Sequence, residues 1–127
     1  MSRRITAGQG LDNSSARYGL EHWWGQRVSA VALAMLTVWL AICLLSISGF
    51  DYENVRTWMS RGWNAMLMIL LILVAAHHSY LGLRVVVEDY VSMVGRRTVT
   101  VVTLRFAHGL LAAGGVFAVL EVSLAAG

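Results

Sequence analysis

The stretch VSAVALAMLTVWLAICLLSISGF, from Val28 to Phe50, contains no Asp, Glu, Lys or Arg in its 23 residues. A helix needs roughly 20 apolar residues to cross ~30 Å of hydrocarbon, so this stretch predicts a membrane span. Two more runs of similar length lie downstream. GWNAMLMILLILVAAHHSYLGL, Gly62 to Leu83, is bracketed by Arg61 and Arg84. TVTVVTLRFAHGLLAAGGVFAVL, Thr98 to Leu120, admits Arg105 and His108 near its start. Together they predict an all-α integral membrane protein of three transmembrane helices, spanning about 28–50, 62–88 and 98–122 within one domain over residues 1–127.

The composition agrees: 57% apolar residues, 13% charged residues and no proline are not the profile of a soluble domain of this size. All ten basic residues are Arg. They crowd the N-terminal segment (Arg3, Arg4, Arg17, Arg27) and the second loop (Arg84, Arg96, Arg97), with Arg56 and Arg61 in the first loop and none in the C-terminal tail. Because basic flanks stay on the cytoplasmic side, the bias predicts a cytoplasmic N-terminus and a C-terminus on the periplasmic side. The net charge of +3 follows from this asymmetry, and no dense basic face of a nucleic-acid binder is present. The first apolar run is too long for the core of a cleaved signal, so the N-terminal segment is expected to stay attached. Cys43, alone in mid-span, reads as a packing residue. Gly109, Ala113 and Gly114 suit close helix packing.

The chemistry concentrates in HHSYLGLRVVVEDY, from His77 to Tyr90. An ionisable side chain within a span is costly and by default faces the protein interior or a cofactor. On a helix, His78, Gly82, Val85 and Asp89 form one stripe, with Gly82 one turn from His78. A glycine there removes bulk beside the imidazole, as a flat macrocycle requires, and the pattern fits a haem ligand. The competing reading is a histidine that only hydrogen-bonds a neighbouring helix. His77 points ~100° away from His78, so the two cannot ligate one iron from the same helix. His108, with Ala112 one turn on, is a third candidate, read first as a packed histidine. At the helix end, Tyr90 suits either the interfacial aromatic belt or donation to a quinone carbonyl, with Asp89 beside it to tune it or relay protons. Tyr90 lies ~18 Å along the axis from His78.

HSYLGLRVVVEDYV, His78 to Val91, resembles the H-x-x-x-G followed by D-Y of the smaller hydrophobic membrane anchor of succinate dehydrogenase. HWWGQRVSAVAL, His22 to Leu33, is similar to that family's Arg-x-[Ser/Thr]-Ala at the start of its first helix. The resemblance implies a membrane-anchor domain in which His78 is an axial ligand to haem b, Gly82 packs beside the macrocycle and Arg27 lies near the haem propionates or the quinone site. It implies that Asp89 and Tyr90 form the ubiquinone-site pair. The doubled histidine departs from the pattern and leaves His77 as a rival for iron. The implied partners are a larger cytochrome b anchor supplying the opposite ligand, an iron–sulfur subunit and a flavoprotein subunit, in the lipid bilayer and without nucleic acid. The implied role is a subunit, outside the catalytic head, of a succinate:ubiquinone oxidoreductase in a bacterial inner membrane, ahead of a mitochondrial inner membrane. Alternatives are the anchor of a fumarate reductase, another b-type cytochrome subunit pairing His78 with His108, and a non-redox scaffold. The chain itself carries no flavin motif, cluster-spaced cysteines or dicarboxylate site.

Overall fold

The computed structural model describes residues 7–125, with side chains from residue 14. Four helices follow in order: α1 (Ala7–Ser46), α2 (Tyr52–Met59), α3 (Gly62–Tyr90) and α4 (Val94–Leu124), with no strand among the described residues. Three helical stretches are long and apolar enough to cross a membrane, Ser14–Ser46, Gly62–Tyr90 and Val94–Leu124. The expected all-α, three-span fold is the one observed.

The helices outrun the apolar runs. Helix α1 begins about twenty residues before Val28 and stops at Ser46, short of Phe50. From Tyr18 to Ser29 this helix lies against α3. Arg84 stacks over the Tyr18 ring at 5.2 Å, and a Cβ at Gly25 would sit 3.5 Å from Leu81 Cδ1. Helix α3, with 29 residues, is ~43 Å long, which matches a bilayer with its headgroup layers. A helix paired along that whole length must extend beyond its uncharged segment. Arg27 therefore stands in the body of α1 rather than where the helix begins.

The first loop contains α2, an amphipathic helix that the apolar runs alone do not predict. Asp51 caps it by accepting from the Asn54 backbone N–H at 3.1 Å, which satisfies an otherwise orphaned donor. This hydrogen bond also holds the Asp51 carboxyl below the ordinary carboxylate range. The Arg56 guanidinium donates to the Ala125 carbonyl, tying α2 to the end of α4. Trp58 stacks on Trp39 of α1, with ring centroids 5.9 Å apart.

Helix α3 is central, with α1 on one side and α4 on the other. The largest apolar cluster, Met59, Ala65 and Val119, lies near α2, where Trp58, Ile72 and Val122 pack around it. Most large apolar side chains face outward: Val31, Met35, Phe106, Leu110 and Phe117 are all more than 60% exposed. In water that surface would aggregate, whereas lipid tails solvate it without penalty.

Within this chain it is Gly115, rather than the expected Gly109 or Gly114, that brings α4 against a neighbouring helix. A Cβ at Gly109 or Gly114 would meet nothing within 4 Å, whereas one at Gly115 would lie 2.9 Å from Ile72 Cγ2. Ala113 is exposed. Spacing alone does not fix the rotation of a helix about its axis; the knob supplied by Ile72 selects Gly115.

Candidate functional site

Near its middle, α3 turns His78 toward α1 and His77 away from it. His78 Nδ1 lies 3.0 Å from Ser29 Oγ, and Ser29 is only 7% exposed. The same hydroxyl donates to the Gln26 carbonyl at 3.1 Å. A serine has one O–H to give, so with its hydrogen on Gln26 the oxygen accepts from His78 Nδ1–H. In that arrangement Nδ1 carries the hydrogen, and Nε2 keeps a lone pair available to a metal.

One turn on, Gly82 faces Gln26, and a Cβ there would rest 3.7 Å from Gln26 Nε2. This is ordinary van der Waals contact, so packing within the chain does not require glycine at this position. Glycine leaves no side chain beside the imidazole, as a macrocycle lying along the helix would need. Two buried polar atoms on the same face of α1, His22 Nε2 and Gln26 Oε1, have no hydrogen-bond partner. Buried polar atoms are rarely left so, and both belong to the stripe 22, 26, 29 that faces α3. The imidazole with Nε2 left over, the glycine one turn on and the two orphaned atoms fit the chemistry of a haem site. Among the described residues no group of three or more His, Cys, Asp or Glu could hold a bare metal ion.

The other histidines are placed differently. His108 Nδ1 contacts the Leu104 carbonyl at 2.8 Å, so it carries the hydrogen, and Nε2 accepts from the Ser79 hydroxyl at 3.2 Å. Both ring nitrogens are engaged within the protein, as expected of a packed histidine. His77 is exposed and opens into a cleft between α3 and α4.

The remaining expected residues are not gathered around His78. Arg27 lies ~160° around α1 from Ser29, on the far flank, with its guanidinium 5.3 Å from the Trp23 ring centroid. It borders an outward groove of about 380 Å³ with Trp24, Val31 and Met35. Tyr90 ends α3 and is 85% exposed, with Asp89 exposed beside it. Glu88 is held by Arg84 in an ion pair of 2.8 Å, so Asp89 is the acid left exposed beside Tyr90 in the last turn of α3.

Sequence reasoning missed Ser29, Gln26 and His22. The signal was present: Ser29 is the hydroxyl residue of the Arg-x-[Ser/Thr]-Ala motif, and 22, 26 and 29 fall at helical spacing. What concealed it was the polarity of the residues before Val28, which marks them as flanking chain.

The chain matches the family described as Succinate dehydrogenase/Fumarate reductase transmembrane subunit over residues 3–118. It is similar to the succinate dehydrogenase hydrophobic membrane anchor subunit of Rickettsia conorii, at 33% identity over 82 residues, covering 64% of this chain and 65% of that protein. The protein of the same description from Rickettsia typhi is 31% identical over 80 residues, covering 63% and 64%. That of Paracoccus denitrificans is 30% identical over 120 residues, covering 94% of this chain and 91% of the relative. The match thus spans just under two thirds of the length of the two Rickettsia relatives. No solved structure matches the chain.

Proposed function

Because the chain belongs to the family of succinate dehydrogenase and fumarate reductase transmembrane subunits, we propose that it is the membrane anchor of a succinate:ubiquinone oxidoreductase. In this reading it is a single anchor domain with its N-terminus on the cytoplasmic side of a bacterial inner membrane. It holds an iron–sulfur subunit and a flavoprotein subunit at that face and shares haem b with a larger cytochrome b anchor. The observation that carries the reading is the Ser29–His78 hydrogen bond, because it leaves Nε2 as the one imidazole nitrogen in α3 both oriented and free.

His78 Nε2 would ligate the iron, with Gly82 keeping space for the ring plane. Haem, when bound, supplies a one-electron relay within the membrane. The Ser29 hydroxyl holds the imidazole in the required tautomer and sets how much electron density Nε2 can donate. His22 and Gln26 line the α1 side of the same seam. Arg27, on the opposite flank, would reach a propionate or a quinone-site water only across the outward groove beside Trp24. A guanidinium suits either role by its planar fork.

Tyr90 and Asp89 would form this chain's part of the ubiquinone-reduction site. The phenol O–H donates to a quinone carbonyl oxygen, and the hydrogen bond strengthens as that oxygen gains charge, which favours reduction over mere binding. Asp89, exposed to the aqueous boundary, can pass protons to the reduced oxygen. The reading is tested by the visible spectrum of the complex purified from the membrane through a tag on this chain. A b-type haem band reducible by succinate is expected. A complex without haem absorption would favour a non-redox scaffold.

A further inference from the structure

We infer that the cleft between α3 and α4 is a binding site for the headgroup of an anionic phospholipid, with an acyl chain lying along its apolar end. The cleft encloses about 490 Å³ and lies on the opposite side of α3 from the His78 seam. Its lining is graded along the helices. Arg84 and Arg105 stand at the end nearest the turn between α3 and α4, His77, Tyr80 and His108 in the middle, and Leu73 and Ala112 at the far end. A cationic end at the membrane boundary, an amphipathic middle and an apolar floor form the complement of an anionic amphiphile.

Charge accounting favours an anion there. Arg105 lies eleven residues into α4, ~16 Å from its start. A charge at such depth in a span is costly unless it is paired or reaches the interface. Arg105 is exposed and has no ion pair or hydrogen bond among the described residues. Arg84, six residues from the end of α3, is paired with Glu88, and no acidic side chain lines the cleft. The cleft therefore carries the uncompensated charge of Arg105, while Arg84 at the same end is committed to Glu88 and to the Tyr18 ring on the α1 side. Arg105 can extend its side chain toward the boundary, where a lipid phosphate lies and can accept from its guanidinium. Basic pockets between transmembrane helices are suited to this chemistry. His77, left unexplained by haem ligation, lies below the arginines as an additional donor. His108 is fixed by its two hydrogen bonds and by Tyr80, whose ring meets it edge-on at 6.0 Å, so the wall is already formed. At Gly109 a side chain would enter open space, which leaves room for an acyl chain.

The test is native mass spectrometry and lipid analysis of the purified assembly, delipidated and then reconstituted into nanodiscs of phosphatidylcholine with added phosphatidylglycerol. The natural chain should retain phosphatidylglycerol over phosphatidylcholine. Arg105→Gln should lower that retention roughly fivefold, the factor expected for one arginine near an anionic headgroup, and Arg105→Lys should restore most of it. Gly109→Leu keeps every charge but fills the acyl end, and it should also lower retention. Arg61→Gln, at the opposite end of α3, should leave retention unchanged. Equal retention in Arg105→Gln would overturn the assignment, as would a loss of both lipids alike, which would indicate a non-selective annulus. Unchanged lipid with loss of a partner protein in Arg105→Gln would also overturn it, by assigning the guanidinium to a protein carboxylate.

Discussion

His77 and His78 are neighbours in sequence, but α3 gives them opposite surroundings. His78 meets a buried serine that fixes one nitrogen and frees the other. His77 faces a cleft rimmed by arginines and floored by small residues of α4. The helix they share does not distinguish them; the facing helix does. Helix α1 offers a seam of hydroxyl, amide and imidazole groups, whereas α4 offers a glycine at its close approach to Ile72 and, nearer its start, the unpaired charge of Arg105. In a membrane, where apolar contact between helices gains little over contact with lipid, such differences decide which side of a helix holds a side chain in one orientation.

The comparison can be broken most severely on the α4 side. Gly115→Leu would drive a side chain into Ile72, and overpacking of this kind costs about 1–3 kcal/mol. The thermal unfolding midpoint in detergent should fall clearly, while Gly114→Leu, facing open space, should leave it nearly unchanged. Equal effects would mean that α4 is rotated from the placement described. On the α1 side, Ser29→Ala leaves His78 Nδ1–H without its acceptor, a loss of about 1 kcal/mol. Haem should be retained with a shifted midpoint potential, and Ser29→Thr should restore the natural value. A potential unmoved by Ser29→Ala would remove Ser29 as the orienting group.

Tyr90→Phe separates the helix end from its middle. Succinate-dependent ubiquinone reduction should fall, while succinate oxidation with an artificial acceptor that bypasses the quinone should hold. If both fell together, Tyr90 would be an assembly or belt residue. The smallest effect is expected at the far end of the molecule. The Asp51 carboxyl is held below its ordinary range by the Asn54 amide, so its contribution is full above the unfolded carboxylate range and is lost as pH falls through the lowered folded value. In Asp51→Asn this acid-dependent part of the unfolding midpoint should vanish; the same slope in both proteins would rule the cap out as its source.

The three spans were legible because charge is scarce within them, a signal that needs no knowledge of neighbours. The helical course of residues 14–27 was not, because those residues are polar and are held by Tyr18, Gly25 and Ser29 meeting α3. Helix α2 could have been read from Asp51 and Asn54, a side-chain cap followed by an acid in the first turn. The His78–Gly82 stripe was visible as spacing, but its serine partner depends on how two helices are rotated against each other. The same rotation decides between Gly109, Gly114 and Gly115. Arg27 was legible as a motif residue, yet its position across α1 from Ser29 becomes visible only once the helix is known to continue before it.

The most direct test of the account is the reduced-minus-oxidised spectrum of the assembly carrying His78→Gly, recorded with and without added imidazole. Without imidazole the haem band should be lost or strongly shifted, and free imidazole, entering the space left by the side chain, should restore it. His77→Gly should match the natural spectrum under both conditions. An unchanged band in His78→Gly, or one lost in His77→Gly and restored there by imidazole, would contradict the assignment of His78 Nε2 as this chain's haem ligand.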